Sequence, residues 1–293
     1  MRAMGDALDG LLELLDLEPI EVNIFRGRSP DEERQRVFGG QVAGQALVAA
    51  GRTVDADRRV HSLHAYFLRP GDPHIPILYE VDRIRDGRSF TTRRVVAIQH
   101  GQAIFHLSAS FHLDEPGFDH HDPMPEVPRP ETLPTMQQRL EAAGHDVPEW
   151  FTRPRPIDTR NVQQWNPWGP PTVEEGSPAR QQVWMRADGT LPDDPMLHAC
   201  VVAYASDMTL LDSVLLPHRG VMFGGLMMAS LDHAMWFHRP FRADEWFLYD
   251  QASPSASGAR GLARGSIFRS DGVLAVSVMQ EGLVRAEQPN RRP

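Results

Sequence analysis

The chain has 293 residues, 41% hydrophobic and 24% charged, proportions that suit two globular domains of roughly 100–150 residues each. Its formal charge of −9 argues against a nucleic-acid groove, which needs a basic surface to displace phosphate counterions. Cys200 is the sole cysteine, which excludes intramolecular disulfides and Cys-rich metal knuckles. Its apolar neighbours fit a small buried hydrophobe better than a nucleophile.

Leu8, Leu11, Leu12 and Leu15 share one helical face, broken by Asp6, Asp9, Glu13 and Asp16. A secretory leader needs a basic start and an unbroken apolar run, so a docking helix is expected here. No window reaches the ~18 apolar residues of a membrane span. The tail, Asn290-Arg291-Arg292-Pro293, carries no peroxisomal address. A soluble cytoplasmic protein is the expectation.

From Gly39-Gly40 onward, Ala43, Gly44, Ala46, Ala49 and Ala50 mark a helix of small side chains. Such a helix suits close approach by another backbone in the curve of a sheet. Strand text follows, and it is written twice. Ala65-Tyr66-Phe67-Leu68-Arg69-Pro70 returns as Met235-Trp236-Phe237-His238-Arg239-Pro240, and Ile77-Leu78-Tyr79 returns as Phe247-Leu248-Tyr249, both displaced by 170 positions. With one inserted residue, 101–112 runs parallel to 272–283. The first copy closes on Ala103, Phe105, Leu107, Ala109 and Phe111 alternating with polar positions, the period of a strand with one face on a core.

Between the copies, Pro116, Pro123, Pro125, Pro128, Pro130 and Pro134 predict a stiff extended segment. A short helix is expected near 135–143, and the rest, with Asn166-Pro167-Trp168-Gly169-Pro170-Pro171, reads as linker packed outside. The second copy opens with a helix near 196–208 holding Ala199, Cys200, Ala203 and Ala205. It closes on Leu274, Val276 and Val278, and then Gln280 falls where the first copy has Ala109. An amide in an apolar row costs a few kcal/mol unless both ends are hydrogen-bonded, so its presence in one copy alone points to function.

The fold class expected is α+β, a tandem double hotdog in which each unit is a long helix wrapped by an antiparallel sheet. The division is a non-catalytic unit at 1–113, a Pro-rich linker at 114–180 and a catalytic unit at 181–293.

Several familiar sites are missing: Gly-x-Ser-x-Gly, a phosphate-binding loop, a dinucleotide Gly-x-Gly-x-x-Gly and His-Glu-x-x-His. Asp119-His120-His121-Asp122 contains metal-ligand residue types but lies in the linker, so no metal and no cofactor are expected. Thioester hydrolysis needs less: a carboxylate to activate water, neutral donors to hold that water, and amides for the oxyanion. Asp207 stands at the C-terminal end of the second helix, where the macrodipole disfavours an acid. Ser230 replaces Val60 of the first copy, and Gln280 lies on the last strand. His61, His64, His233 and His238 sit in aromatic strand text and read as hydrogen-bonded structural histidines. Ser253 to Gly261, followed by Arg264, reads equally as a hairpin or a contact for CoA phosphates through Arg260 and Arg264.

Three segments resemble the acyl-CoA thioesterase II family: Val37-Phe38-Gly39-Gly40-Gln41-Val42-Ala43-Gly44-Gln45, Tyr66-Phe67-Leu68-Arg69-Pro70-Gly71-Asp72 and Tyr204-Ala205-Ser206-Asp207. So do Asp232-His233-Ala234-Met235-Trp236-Phe237-His238-Arg239-Pro240 and Gln280-Glu281-Gly282. The likeness runs from about residue 8 to 286. It implies a double hotdog, a range of acyl-CoA substrates, and an Asp, Thr or Ser, and Gln set around a catalytic water. Those roles fall here on Asp207, Ser230 and Gln280, with Ser230 keeping the hydroxyl where the family often has Thr. Hotdog geometry adds Gly39 and Gly40 as oxyanion amides.

Two rivals remain open. A hotdog enoyl-CoA hydratase would need His where Asp212 stands, five residues after Asp207. A non-catalytic acyl-CoA binding module would have no need of the polar set. A homo-oligomer is expected from exposed sheet edges and faces.

Overall fold

A computed structural model describes residues 6–30, 35–147, 152–163, 179–218 and 226–286. Helix α1 (Asp6–Leu15) buries Leu8, Leu11 and Leu15, the face predicted for docking. Strands β1 (Glu18–Glu21) and β2 (Ile24–Gly27) follow, and then helix α2 (Gly39–Gly51). The first unit is completed by β3 (Arg58–Phe67), β4 (Ile77–Asp86), β5 (Phe90–Gln99) and β6 (Gln102–Leu113). The second carries β7 (Ile157–Asn161), β8 (Arg180–Ala187), helix α4 (Pro195–Ser206) and the short α5 (Asp212–Leu215). It then runs through β9 (Leu226–Ser230), β10 (Asp232–Phe237), β11 (Phe247–Ser257), β12 (Arg260–Arg269) and β13 (Leu274–Ala286).

The strands form one antiparallel sheet in the order β1-β2-β4-β5-β6-β3-β10-β13-β12-β11-β8-β7, with β9 on β13. The two units meet at β3 and β10, where Ala234 pairs with His64, Asp232 with Tyr66 and Trp236 with Ser62. Positions 64 and 234 are the same position of the repeat, so the pseudo-twofold axis passes through that pair. The register within each unit repeats too: His64 opposes Ser108, and Ala234 opposes Met279. One extra residue in the second hairpin accounts for the change of displacement from 170 to 171.

The central helices run antiparallel against each other. Methyl groups built at Gly40, Gly44 and Gly51 would approach Tyr204 O, Cys200 O and Met196 to 2.3, 3.3 and 2.7 Å. The small residues on α2 therefore admit α4 at close range, as their composition predicted. Asp194 caps α4 by accepting from Met196 N at 2.9 Å, with Pro195 in the first turn.

The alternation of the closing strands holds with one shift at the start of each: in the first copy a bulge beside Ile98 brings Ile104 into the core in place of the expected Ala103. Phe105, Leu107, Ala109 and Phe111 are buried, as are Val276, Val278 and Gln280. A bulge beside the start of β13 turns Leu274 to the outer face, against Trp184, Leu248 and Phe268, while Ala275 enters the main core. That outer face is covered by the Pro-rich segment through Met124, Val127 and Leu133, and Trp184 Nε1 donates to Pro128 O at 2.9 Å.

The expected short helix is α3 (Met136–Ala142), closed by a capping box between Thr135 and Gln138. The stretch 114–180 is not all linker, because β7 within it extends the sheet beyond β8 at the edge of the second unit. Its five residues carry only one buried apolar side chain, Ile157, which is too little periodicity to announce a strand. The segment 166–171 lies outside the described residues. No helix among the described residues is long and apolar enough to cross a membrane.

Candidate active site

Asp207 is the C-cap residue of α4, the end that repels an anion. The antiparallel helix pair changes its surroundings, because the N-terminus of α2 lies directly over it. A methyl at Gly39 would come within 2.6 Å of Asp207 Oδ2, and the Gly40 amide donates to the carboxyl group. The positive end of one helix thus supports the acid on the negative end of the other.

The final strand and β9 complete the cluster. Gln280 Nε2 donates to Asp207 Oδ1 at 2.6 Å and to Ser230 Oγ at 2.9 Å. Ser230 Oγ donates to the same Oδ1 at 3.2 Å. Asp207, Ser230 and Gln280, predicted from positions 50 and 73 apart along the chain, are brought into mutual hydrogen-bonding contact. Oδ1 is held by two donors, while Oδ2 faces the start of α2.

Asp207 keeps some contact with solvent, yet it is packed densely enough to alter its acidity. Burial pushes its pKa up to about 6, against the opposing pull of Gln280, Ser230 and the Gly40 amide. A carboxylate with that value is ionised at neutral pH and basic enough to take a proton. Behind it, Tyr249 OH donates to Ser206 O at 3.2 Å. Gln280 is fully buried, and so is His233, whose Nε2 lies 2.9 Å from Ser206 Oγ. Burial holds His233 down to about 4, partly offset by Gln280, so its ring is neutral.

The arginines named from the sequence are placed elsewhere. Gly258 and Ala259 both have positive φ and form the two-residue turn between β11 and β12. Arg260 follows it, exposed and paired with Glu281 at 3.1 Å. Arg264 is exposed, whereas its neighbours Ala263 and Gly265 face the core. Both arginines therefore point to the outer face of the sheet, opposite Gln280. Asp119 pairs with Arg239, and no cluster of three or more metal-ligating side chains exists among the described residues.

The related place in the first unit is a groove of about 1380 Å³ between the C-terminus of α2 and the N-terminus of α4, lined in part by Arg52, Val60, His61 and Phe111. There Arg52, the C-cap of α2, stands where α4 has Asp207, and it pairs with Asp16 at 2.5 Å. Val60 replaces Ser230, and Ala109 replaces Gln280.

Together, two helix-and-sheet units fused edge to edge in one antiparallel sheet define a double-hotdog protein. A family model for the acyl-CoA thioesterase N-terminal domain matches residues 29–112, and one for acyl-CoA thioesterase matches 158–283. Human acyl-coenzyme A thioesterase 8 is 44% identical, with 94% of this chain and 88% of the relative covered. Acyl-CoA thioesterase 2 of Haemophilus influenzae is 42% identical over 96% of this chain and 99% of its own length. The crystal structure of an acyl-CoA thioesterase II from Mycobacterium marinum superposes with a TM-score of 0.79 at 49% identity, covering 95% and 99% of the two chains. The chain belongs to the acyl-CoA thioesterase II family, whose members are thioester hydrolases.

Proposed function

We propose that this protein hydrolyses fatty acyl-CoA to free fatty acid and CoA by general-base activation of water, with Asp207, Ser230 and Gln280 as the catalytic set. The observation that carries the reading is the three-way hydrogen bonding of those side chains under the N-terminus of α2.

Ser230 and Gln280 anchor Oδ1 and leave Oδ2 to receive a proton. A water between Oδ2 and the thioester carbonyl carbon loses that proton as its oxygen attacks. The carbonyl oxygen becomes an oxyanion, for which the start of α2 at Gly39 and Gly40 supplies amide dipoles. Because the Gly40 amide is already directed at Asp207, Gly39 is the better oxyanion donor of the two. Collapse of the tetrahedral intermediate breaks the C–S bond, and the proton on Asp207 passes to the departing thiolate. No acyl-enzyme forms. Substrate contacts for the CoA phosphates are not assigned to Arg260 and Arg264, which lie across the sheet from the carboxylate. Exposed apolar residues on the sheet, among them Leu78, Ile84 and Phe90, support assembly into a homo-oligomer.

The test is free-thiol release from a series of saturated acyl-CoAs by the wild type and by Asp207→Ala. Loss of a positioned base is expected to cost about a hundredfold or more. Equal rates would remove Asp207 from the mechanism, and binding of acyl-CoA without thiol release by the wild type would favour a sensing module.

A further inference from the structure

Gln280 matters to the catalytic set only if its amide points the right way. Nε2 must face Asp207 and Ser230, because Oε1 in that place would set two acceptors against each other at 2.6 Å unless Asp207 were protonated. Nothing in the contacts of Nε2 alone prevents the flip at low pH. The orientation has to be imposed from the other end of the amide.

Gln280 Oε1 and His233 Nδ1 are two of the seven buried side-chain polar atoms left without a hydrogen-bond partner among the described residues. They belong to facing residues. One step beyond the Ala234 and Met279 pair, His233 stands opposite Gln280 across β10 and β13, and the two side chains interact. The first unit has Leu63 opposite Ala109 at this cross-strand position. The polar replacement in the second unit is thus a pair, not a single residue.

We propose that His233 is a positioning residue, whose Nδ1–H donates to Gln280 Oε1 and so fixes Gln280 Nε2 on Asp207 and Ser230. This rests on the reading of Asp207, Ser230 and Gln280 as the catalytic set. Ser206 completes the device. Its hydroxyl lies within reach of His233 Nε2 at 2.9 Å and of Ala203 O at 3.0 Å. That hydroxyl has one proton: donated to Ala203 O it would call for a hydrogen on Nε2, whereas in the proposed state it turns to Nε2 and leaves the ring hydrogen on Nδ1. The opposite tautomer would place the bare Nδ1 against Oε1 with no hydrogen between them in a site closed to water. His233 makes no hydrogen bond to the Asp207 carboxyl group, whose partners are Gln280, Ser230 and the Gly40 amide, so its proposed action runs through Gln280.

The experiment is a double-mutant cycle read by steady-state kinetics, beside ¹⁵N NMR of the imidazole in the wild type. His233→Leu uses the side chain that the first unit carries at the same place. It is expected to lower kcat about 10- to 100-fold while KM changes less than about threefold. In a Gln280→Ala background the same substitution should lower kcat less than about twofold further. His233→Asn, which returns an N–H near the Nδ1 position, should recover most of the rate, whereas His233→Gln should not. The NMR spectrum should show a neutral Nδ1–H tautomer across pH 5–8.

Additive losses in the cycle, a His233→Leu enzyme with wild-type kcat, or an Nε2–H tautomer would each overturn the inference. The tautomer decides the matter even where His233→Leu does not fold. Asp207→Ala run in parallel separates the two levels. If it keeps its rate, the catalytic set itself is wrong and the inference falls with it. If it is inactive while the cycle is additive, only the role of His233 fails.

Discussion

The two units share a register, a strand order and a central helix, yet one has a carboxylate site and the other has Arg52, Val60, Leu63 and Ala109 in its place. At the candidate site the difference lies in Asp207, Ser230, His233 and Gln280. A fold can be duplicated and then specialised by a few side chains because sheet pairing and helix docking depend on backbone and small residues. The first unit is nonetheless no spectator. It supplies the positive end of α2 to the acid of the second unit, so the candidate site draws on both units.

The comparison breaks most sharply at Asp207. Asp207→Asn should lower kcat by about a hundredfold or more, and the wild-type rate should fall as pH drops through about 6, where the base becomes protonated. Stability should move the other way. A carboxyl group whose pKa is raised by folding imposes a cost that is full above the folded value and vanishes below the unfolded one, near 3.8. Asp207→Asn is therefore expected to stabilise the protein above pH 7, by at most about 3 kcal/mol, and not at all below pH 4. Denaturant titrations at both pH values check this.

The contribution of the first unit is tested at its helix start. A methyl at Gly39 presses on Asp207 Oδ2 and on the Phe67 ring, so Gly39→Ala should cost on the order of a hundredfold in kcat. Gly40→Ala meets the backbone carbonyl of Tyr204 at 2.3 Å, and forcing the helices apart should cost about 1–3 kcal/mol or more. Gly10→Ala is the control. Nothing lies within 4 Å of its new methyl, and it should stabilise α1 by up to about 1 kcal/mol.

Writing the second unit into the first gives a smaller effect of opposite sense. Ala109→Gln places an amide beside Leu63, with no His233 or Asp207 to meet it, and should destabilise by about 1–3 kcal/mol without creating a second activity. Melting curves and thiol release together check both halves of that statement. The smallest effect belongs to the outer face. Arg260→Ala removes an exposed pair with Glu281 and should change stability by under about 1 kcal/mol, with KM for acyl-CoA unchanged.

The repeat, the small-residue helices and the alternation from Phe105 to Phe111 are all legible in the amino-acid order, because each is a local or periodic property of the chain. Gln280 is legible as well, since a polar residue in an apolar row stands out once the copies are aligned, and the family resemblance adds Asp207 and Ser230. The matching change from Leu63 to His233 was written in the same alignment. It passes for one more structural histidine until cross-strand pairing sets it opposite Gln280. β7 was hidden by its short, polar text. The small residues of α2 announce a close backbone neighbour but not which one or in which sense: Asp207 reads as an acid on the wrong end of a helix, and only the antiparallel packing of residues some 167 positions apart turns that repulsion into support. Periodicity reports what a residue does to its own element, whereas the field at a carboxylate is set by whatever element folds against it.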